Sequence, residues 1–289
     1  MSANDLLDKV KQLREITGVG FKDCKKAIDE TNGDIEKSIE LLRKKGIAKA
    51  SKRMERVASE GLICIYEKDN KFSMVELNSE TDFVAKNNEF VNFAEEISEL
   101  GIDNKGDVKK ILDSKMKNKK NVKDNLVNLI SKIGEKITLR RCAFVNNDKT
   151  MNFSYTHSSL KKNVGKLGVL LSLETKKPKT EISVLGKQLT MQIAASSPLA
   201  IDKDDLDKNL LSKEKEIIKE ELKNSGKDTN IIEKIAVGKL NKFISENTLL
   251  NQEWIMEPKK KVRDVIKEFA GKDKFEIKEF VRFKIGEGL

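Results

Sequence analysis

GLICIYEKDNKFSMVELNSETDFVAKNNEFVNFAEEISEL, residues Gly61–Leu100, contains the change of hydrophobic period that decides the fold. In its first half the period is two. Leu62, Cys64 and Tyr66 alternate with Ile63, Ile65 and Glu67, and Phe72, Met74, Glu76 and Asn78 lie opposite Ser73, Val75 and Leu77. Successive side chains of a strand point to opposite faces, so each run reads as a strand, and Lys68-Asp69-Asn70-Lys71 reads as the turn of a β-hairpin. In the second half the period is helical: Phe90, Phe93, Ala94 and Ile97 share the inner side of a helix expected over Asn87 to Leu100. Between the two lies Thr81-Asp82-Phe83-Val84-Ala85-Lys86-Asn87. Thr81 or Asp82 can cap a helix start, which leaves Phe83 and Val84 in the first turn. Two readings of that ring stand: a staple packed on its own core, or a projecting apolar wedge, flanked by an acid, that enters a partner's pocket.

A related order of elements returns downstream. Ile137 to Val145 reads as a strand, Asn146-Asn147-Asp148-Lys149 as a turn and Met151 to Tyr155 as a second strand. Leu167 to Glu174 is a third, and Glu181 to Ser196 a helix closed by Pro198. Two strand-strand-helix units suggest two related α+β subdomains.

Upstream, the first 45 residues read as three short helices. Leu6, Val10 and Leu13 make one stripe, Thr17-Gly18-Val19-Gly20 breaks it, and Cys24, Ala27 and Ile28 face inward from a second helix over Phe21 to Glu30. Gly33 suits a left-handed cap, Asp34 an N-cap, and Ile35, Ile39 and Leu42 carry the third stripe. Gly46 to Glu60 is basic and weakly patterned, a linker or a loosely held helix. Beyond the core, Leu206, Leu210, Ile217, Leu222, Ile231, Ile235, Leu240 and Phe243 are spread among Lys and Glu, with a break at Asn224-Ser225-Gly226-Lys227-Asp228. An antiparallel helical hairpin fits this best, with two flat surface helices as the alternative. Phe275 to Ile285 alternates like a closing strand. The expected division is a three-helix module at 1–45, a basic linker at 46–60, core subdomains at 61–145 and 146–203, a helical hairpin insertion at 204–250, and a return to the second subdomain at 251–289.

Composition narrows the function. Hydrophobic residues at 38% and charged residues at 36% suit several small modules better than one large globule. The net charge is +10, from 57 basic and 47 acidic residues, yet only 8 of the basic residues are Arg, the side chain whose planar fork reads phosphate and base edges. The Lys residues alternate with acids, as in Ser212–Lys223, SKEKEIIKEELK, which reads as a solvated helix rather than a nucleic-acid stripe. Cys24, Cys64 and Cys142 stand far apart and read as small buried hydrophobes, not as a disulfide framework or zinc site. His157 is the single histidine, with no cysteine pair near it, so a histidine-built metal site is not expected. No apolar run approaches the roughly 20 residues of a membrane span, and Met1 to Lys11 is polar without a cleavage site, so a cytoplasmic protein is expected. Phosphate-loop, dinucleotide, zincin and nucleophile-elbow motifs are missing. A nucleophile–base pair between His157 and Ser158-Ser159 can be drawn, but a contact histidine is the better reading, and no enzyme is expected.

Two long stretches carry a resemblance. Leu13-Arg14-Glu15-Ile16-Thr17-Gly18-Val19-Gly20-Phe21-Lys22-Asp23-Cys24-Lys25-Lys26-Ala27 resembles the N-terminal signature of the elongation factor Ts family, and Glu76-Leu77-Asn78-Ser79-Glu80-Thr81-Asp82-Phe83-Val84-Ala85-Lys86 its second signature. Lys132-Ile133-Gly134-Glu135, Leu139-Arg140-Arg141, Tyr155-Thr156-His157, Gly168-Val169-Leu170, Ala194-Ala195-Ser196 and Val281-Arg282-Phe283 look similar too, so the likeness covers essentially the whole chain. It implies a guanine-nucleotide exchange factor for elongation factor Tu, with a ubiquitin-associated-like (UBA-like) module, two α+β subdomains and an inserted helical hairpin. By the same resemblance Leu13, Thr17, Gly18, Val19 and Lys25 dock on the GTPase, whether GDP-bound or nucleotide-free, and Ile133, Gly134 and His157 face it from the core. Thr81, Asp82, Phe83 and Val84 match the stretch that intrudes beside the nucleotide and dislodges the partner's Mg²⁺. Glu80 stands where the family also uses Gln, and many relatives continue past Gly286-Glu287-Gly288 into a helical tail that touches the partner, whereas this sequence ends at Leu289. The hairpin's role, including a homodimer formed through it, varies in the family. The rival reading is a basic RNA-binding protein of the translation apparatus, resting on the net charge of +10 and the Lys-rich stretch Lys49 to Arg56.

Overall fold

The computed structural model describes residues 3–146, 149–223 and 229–289. Three helices come first, α1 (Ala3–Thr17), α2 (Phe21–Glu30) and α3 (Ile35–Arg53). Val10, Leu13, Cys24, Ala27, Ile28 and Leu42 close a small core between them. Gly33 has φ 83°, and the Asp34 carboxylate accepts from Lys37 N at 3.0 Å, so this junction is capped as its residues suggest. Helix α3 does not stop where the linker was expected. It continues to Arg53, through the first half of the basic segment, and its Ala50 is buried in the main core. Packing against the core holds a helix that periodicity alone leaves ambiguous.

The hairpin forms from β1 (Glu60–Lys68) and β2 (Lys71–Ser79), registered Lys68 against Lys71. Asp69 and Asn70 take φ of 49° and 60°, the left-handed pair that matches the twist of a two-residue hairpin turn. After it come α4 (Asp82–Ala85), α5 (Asn88–Asp103), α6 (Val108–Asp113), α7 (Val122–Ile133) and β3 (Ile137–Val145). The Asn87 side chain accepts from Glu89 N and Phe90 N to cap α5. Neither α6 nor α7 is visible in the reading of the sequence above.

The chain then makes β4 (Met151–His157), β5 (Val164–Gly165), β6 (Leu167–Thr175) and α8 (Lys179–Ser196). Strands β3 and β4, read from the sequence as successive strands of one strand-strand-helix unit, lie in different sheets: β3 pairs with β2 in the sheet β3-β2-β1-β5, while β4 joins a second antiparallel sheet, β4-β6-β9, completed by β9 (Phe275–Lys284). The expected turn between β3 and β4 falls partly on Asn147 and Asp148, and the break at Asn224–Asp228 wholly, outside the described residues. The intervening elements are α9 (Lys208–Lys223), α10 (Thr229–Asn247), β7 (Glu253–Trp254), β8 (Glu257–Lys261) and α11 (Val262–Ala270). Helices α9 and α10 lie against each other, with Lys239 paired to Glu221 at 2.6 Å. Ile218 rather than Ile217 points inward there: Ile217 is exposed and Ile218 buried.

Both faces of the first sheet are buried. Leu62, Cys64, Val75 and Leu77 pack on Phe90, Ala94 and Ile97 of α5, and Ile63, Ile65 and Met74 meet Leu170 and Phe283 of the second sheet. A Cβ at Gly168 would come within 2.6 Å of Met74 Sδ, so only glycine lets the sheets approach this closely. Burying a side chain the size of Ile or Leu contributes about 1.5–3 kcal/mol, so burial on both faces makes the hairpin a major source of stability. Glu76, on the strand face that meets the second sheet, is fully buried. Arg140 at 3.0 Å, Arg141 at 2.5 Å and Gly286 N at 3.0 Å satisfy it and tie the turn after β9 to β2.

Candidate functional site

Strand β2 delivers Thr81–Val84 to the molecular edge. Thr81 occupies the N-cap position of α4, but its side chain does not cap the helix. Its hydroxyl donates to Glu135 Oε1 at 2.7 Å and its amide to Glu135 Oε2 at 3.0 Å, so one carboxylate grips the turn twice. Next to it, Glu80 accepts from Lys136 N at 2.6 Å and pairs with Arg56 at 3.2 Å. Val84 and Ala85 are buried in the main core. Phe83 alone of this turn's large apolar side chains faces outward, at 77% exposed. A staple would have buried the ring; the buried neighbour Val84 does that work and fixes the direction in which Phe83 points. Val84, expected as part of the intruding surface, therefore supports the turn from within.

Charge surrounds the ring. Lys86 lies 5.9 Å from the Phe83 centroid and pairs with Asp82 at 3.0 Å. That lysine, through its hydrogen bond, holds the Asp82 carboxyl below its ordinary range, with a further pull from Lys166.

Ile133 and Gly134 close α7 directly before Glu135, with Gly134 in the left-handed conformation at φ 90°. They and Thr81 therefore come together. His157 stands exposed at the end of β4, its Nδ1 3.0 Å from Tyr155 Oη. Ser159 Oγ donates to Thr156 O at 3.1 Å, and the imidazole's side-chain partner is Tyr155. Lys166 donates its amide to His157 O at 3.2 Å, and its ammonium pairs with Glu60.

On the three-helix unit, Thr17 Oγ1 donates to Leu13 O at 2.7 Å and accepts from Val19 N at 3.3 Å, and Gly18 turns the chain at φ 67°. Gly18 and Lys25 are exposed, Thr17 and Val19 half-buried. Leu13, expected as a contact, is fully buried in the unit's core and can act on a partner only by holding the turn in place. Sequence reasoning missed Glu135 as the anchor of Thr81, because nothing local ties residues 54 apart in sequence. Among the described residues no group of three or more His, Cys, Asp or Glu side chains could hold a metal ion, and no helix is long and apolar enough to cross a membrane.

These features define a class: an α+β protein whose assembled site is a projecting rim, one outward ring on a turn anchored from two sides. Comparison with known proteins makes the class specific. The family model described as Elongation factor TS matches residues 80–287. Elongation factor Ts of Methylorubrum populi is 41% identical over 290 residues, spanning 99% of this chain and 94% of the relative. That of Maricaulis maris is 40% identical over 286 residues, spanning 97% and 91%, and that of Rickettsia felis 41% over 287, again spanning 97% and 91%. The chain belongs to the elongation factor Ts family.

Proposed function

We propose that this protein is a guanine-nucleotide exchange factor for elongation factor Tu, acting by contact and carrying no cofactor. The observation that carries the reading is the outward Phe83, 77% exposed on a turn that Glu135 grips at 2.7 and 3.0 Å. A rigid aromatic presented this way loses little entropy on docking, and burying it in a partner is worth about 1.5–3 kcal/mol. In this reading the ring enters the GTPase beside its nucleotide and displaces the bound Mg²⁺, with Asp82 and Thr81 flanking it. Mg²⁺ offsets phosphate charge, so moving it weakens GDP. By linkage the factor binds nucleotide-free partner best and GTP later releases it. Thr17, Gly18, Val19 and Lys25 dock on the GTPase from the three-helix unit, here read as a UBA-like module, while Ile133, Gly134 and His157 face it from the core. Helices α9 and α10 are the inserted antiparallel hairpin. The test is release of fluorescent GDP from purified elongation factor Tu. Substoichiometric protein should accelerate it many-fold; a rate equal to spontaneous release refutes the reading.

A further inference from the structure

The two surfaces of that reading belong to different units, the Thr17–Val19 turn to the three-helix unit and Phe83 to the core, and one element touches both. We infer that the C-terminal part of α7 and the residues after it, 130–136, act as a brace that locks the module and the Phe83 rim into one rigid two-point docking surface.

On the module side, α3 lies along α7 with Gly46 at the contact: a Cβ there would come within 2.6 Å of Ser131 Oγ. Arg53 Nη1 donates to Ile130 O at 2.8 Å, and Arg43 pairs with Asp124 at 3.3 Å. Lys132 reaches the docking turn itself, where a Cβ on Gly18 would lie 2.3 Å from Lys132 Cε. The same ammonium pairs with Glu89, in the first turn of the helix that follows the Phe83 turn, at 3.3 Å. On the rim side, Glu135 holds Thr81 and the Lys136 amide holds Glu80. The Lys136 ammonium returns to Met54 O at 2.7 Å and Arg56 O at 2.6 Å, just past the end of α3. Between these attachments runs a groove of about 620 Å³, lined by Thr17, Val19, Arg43, Glu89, Asp124 and Lys132 among others.

Exposed ion pairs contribute little alone, so the packing of α3 along α7 around Gly46, with the Arg53 hydrogen bond, carries most of the constraint, and Lys132 adds a contact beside the Gly18 turn. Two linked contacts bind as one only when their separation is fixed; otherwise the second contact's effective concentration falls. The brace therefore sets affinity for the partner, whereas Phe83 sets how fast the bound partner loses nucleotide. That functional consequence rests on the exchange-factor reading; the rigidity itself does not.

The test uses Gly46→Leu in the full chain. Leu favours a helix over Gly by up to about 1 kcal/mol, so α3 keeps its own stability while its contact with α7 is forced open. ¹⁵N relaxation should show the amides of α1 and α2 sharing the core's correlation time in the unmodified protein and tumbling faster in Gly46→Leu. The factor concentration for half-maximal GDP release should rise about tenfold, with the maximal rate within about twofold. Lys132→Ala, a milder change on a partly exposed side chain, should raise it about threefold. Unchanged tumbling in Gly46→Leu, or a fall in maximal rate at unchanged half-saturation, overturns the brace. If the unmodified protein fails to speed GDP release, the exchange reading falls instead, and the relaxation comparison still decides the brace.

Discussion

At the scale of single residues, exposure separates side chains free to meet a partner from those that hold the fold. Phe83 is 77% exposed, so Phe83→Ala removes no core contact and should leave the melting temperature within about 1 °C. The same change should slow GDP release by about 30-fold, the factor that corresponds to a hot-spot loss of about 2 kcal/mol. An unchanged rate measured by stopped flow would remove the wedge from the mechanism. The cysteines point inward, with Cys64 buried and Cys142 half-buried. Burial pushes the Cys64 and Cys142 thiols up to about 12 each. Above the ordinary thiol range the unfolded chain loses these protons while the folded chain keeps them, so the folded state binds more protons and stability falls as pH rises from about 9 towards 12. The slope of melting temperature against pH between 8.5 and 10.5 should therefore be shallower in Cys64→Ala/Cys142→Ala than in the parent, and parallel slopes would contradict the assignment.

At the scale of elements, the turn after β2 is only as rigid as the carboxylate that grips it. Glu135→Ala removes both hydrogen bonds to Thr81 without touching Phe83. Bonds to a charged acceptor contribute about 1.5–3 kcal/mol each, so the turn should loosen, and amide hydrogen exchange at Thr81–Ala85 should rise at least tenfold. GDP release should slow along with it, less than in Phe83→Ala; unchanged protection of the turn would show that β2 and Val84 suffice. What the sequence disclosed here follows from which forces are local. The β1–β2 hairpin was legible because period-two alternation and the Asp69-Asn70 turn are written in adjacent residues. The three N-terminal helices were legible from stripes and glycines for the same reason. The partner of β3 was not: it pairs with β2, far back along the chain, and no local pattern names that strand. The segment after residue 45, open between a linker and a loosely held helix, continues α3 to Arg53, where it packs along α7. The exposure of Phe83 stayed open between staple and wedge until the burial of Val84 was visible, and Glu135 carried no local mark at all.

At the scale of the whole molecule, the net charge of +10 leaves a choice of partner that salt can decide. Much of the surface charge is already committed in short ion pairs: Lys274 and Lys278 with Glu174 and Glu276, Lys260 with Glu257 and Glu268, Arg263 with Asp202. Pairs of this kind neutralise one another locally, and along the sequence Lys alternates with acids rather than gathering in one stripe. Nucleic-acid affinity grows with the number of phosphates neutralised and falls with salt at about 0.9 of a logarithmic unit per contact, so a diffuse excess predicts weak binding of the nonspecific class, about 10⁻⁴–10⁻⁶ M. Docking through a ring and a glycine turn depends on shape and apolar burial, which salt does not weaken; long-range attraction to an acidic surface adds only to the rate of encounter. Titration against a structured RNA and against elongation factor Tu, each at 0.05, 0.15 and 0.4 M potassium chloride, separates the two. RNA binding should vanish by the highest salt while the maximal GDP-release rate persists and only the association rate declines. Sub-micromolar RNA binding that survives 0.15 M salt with a slope steeper than about −5, together with absent exchange, would move the protein's work from the GTPase to the nucleic acid, and Phe83 would then need a base to stack on rather than a magnesium site to disturb.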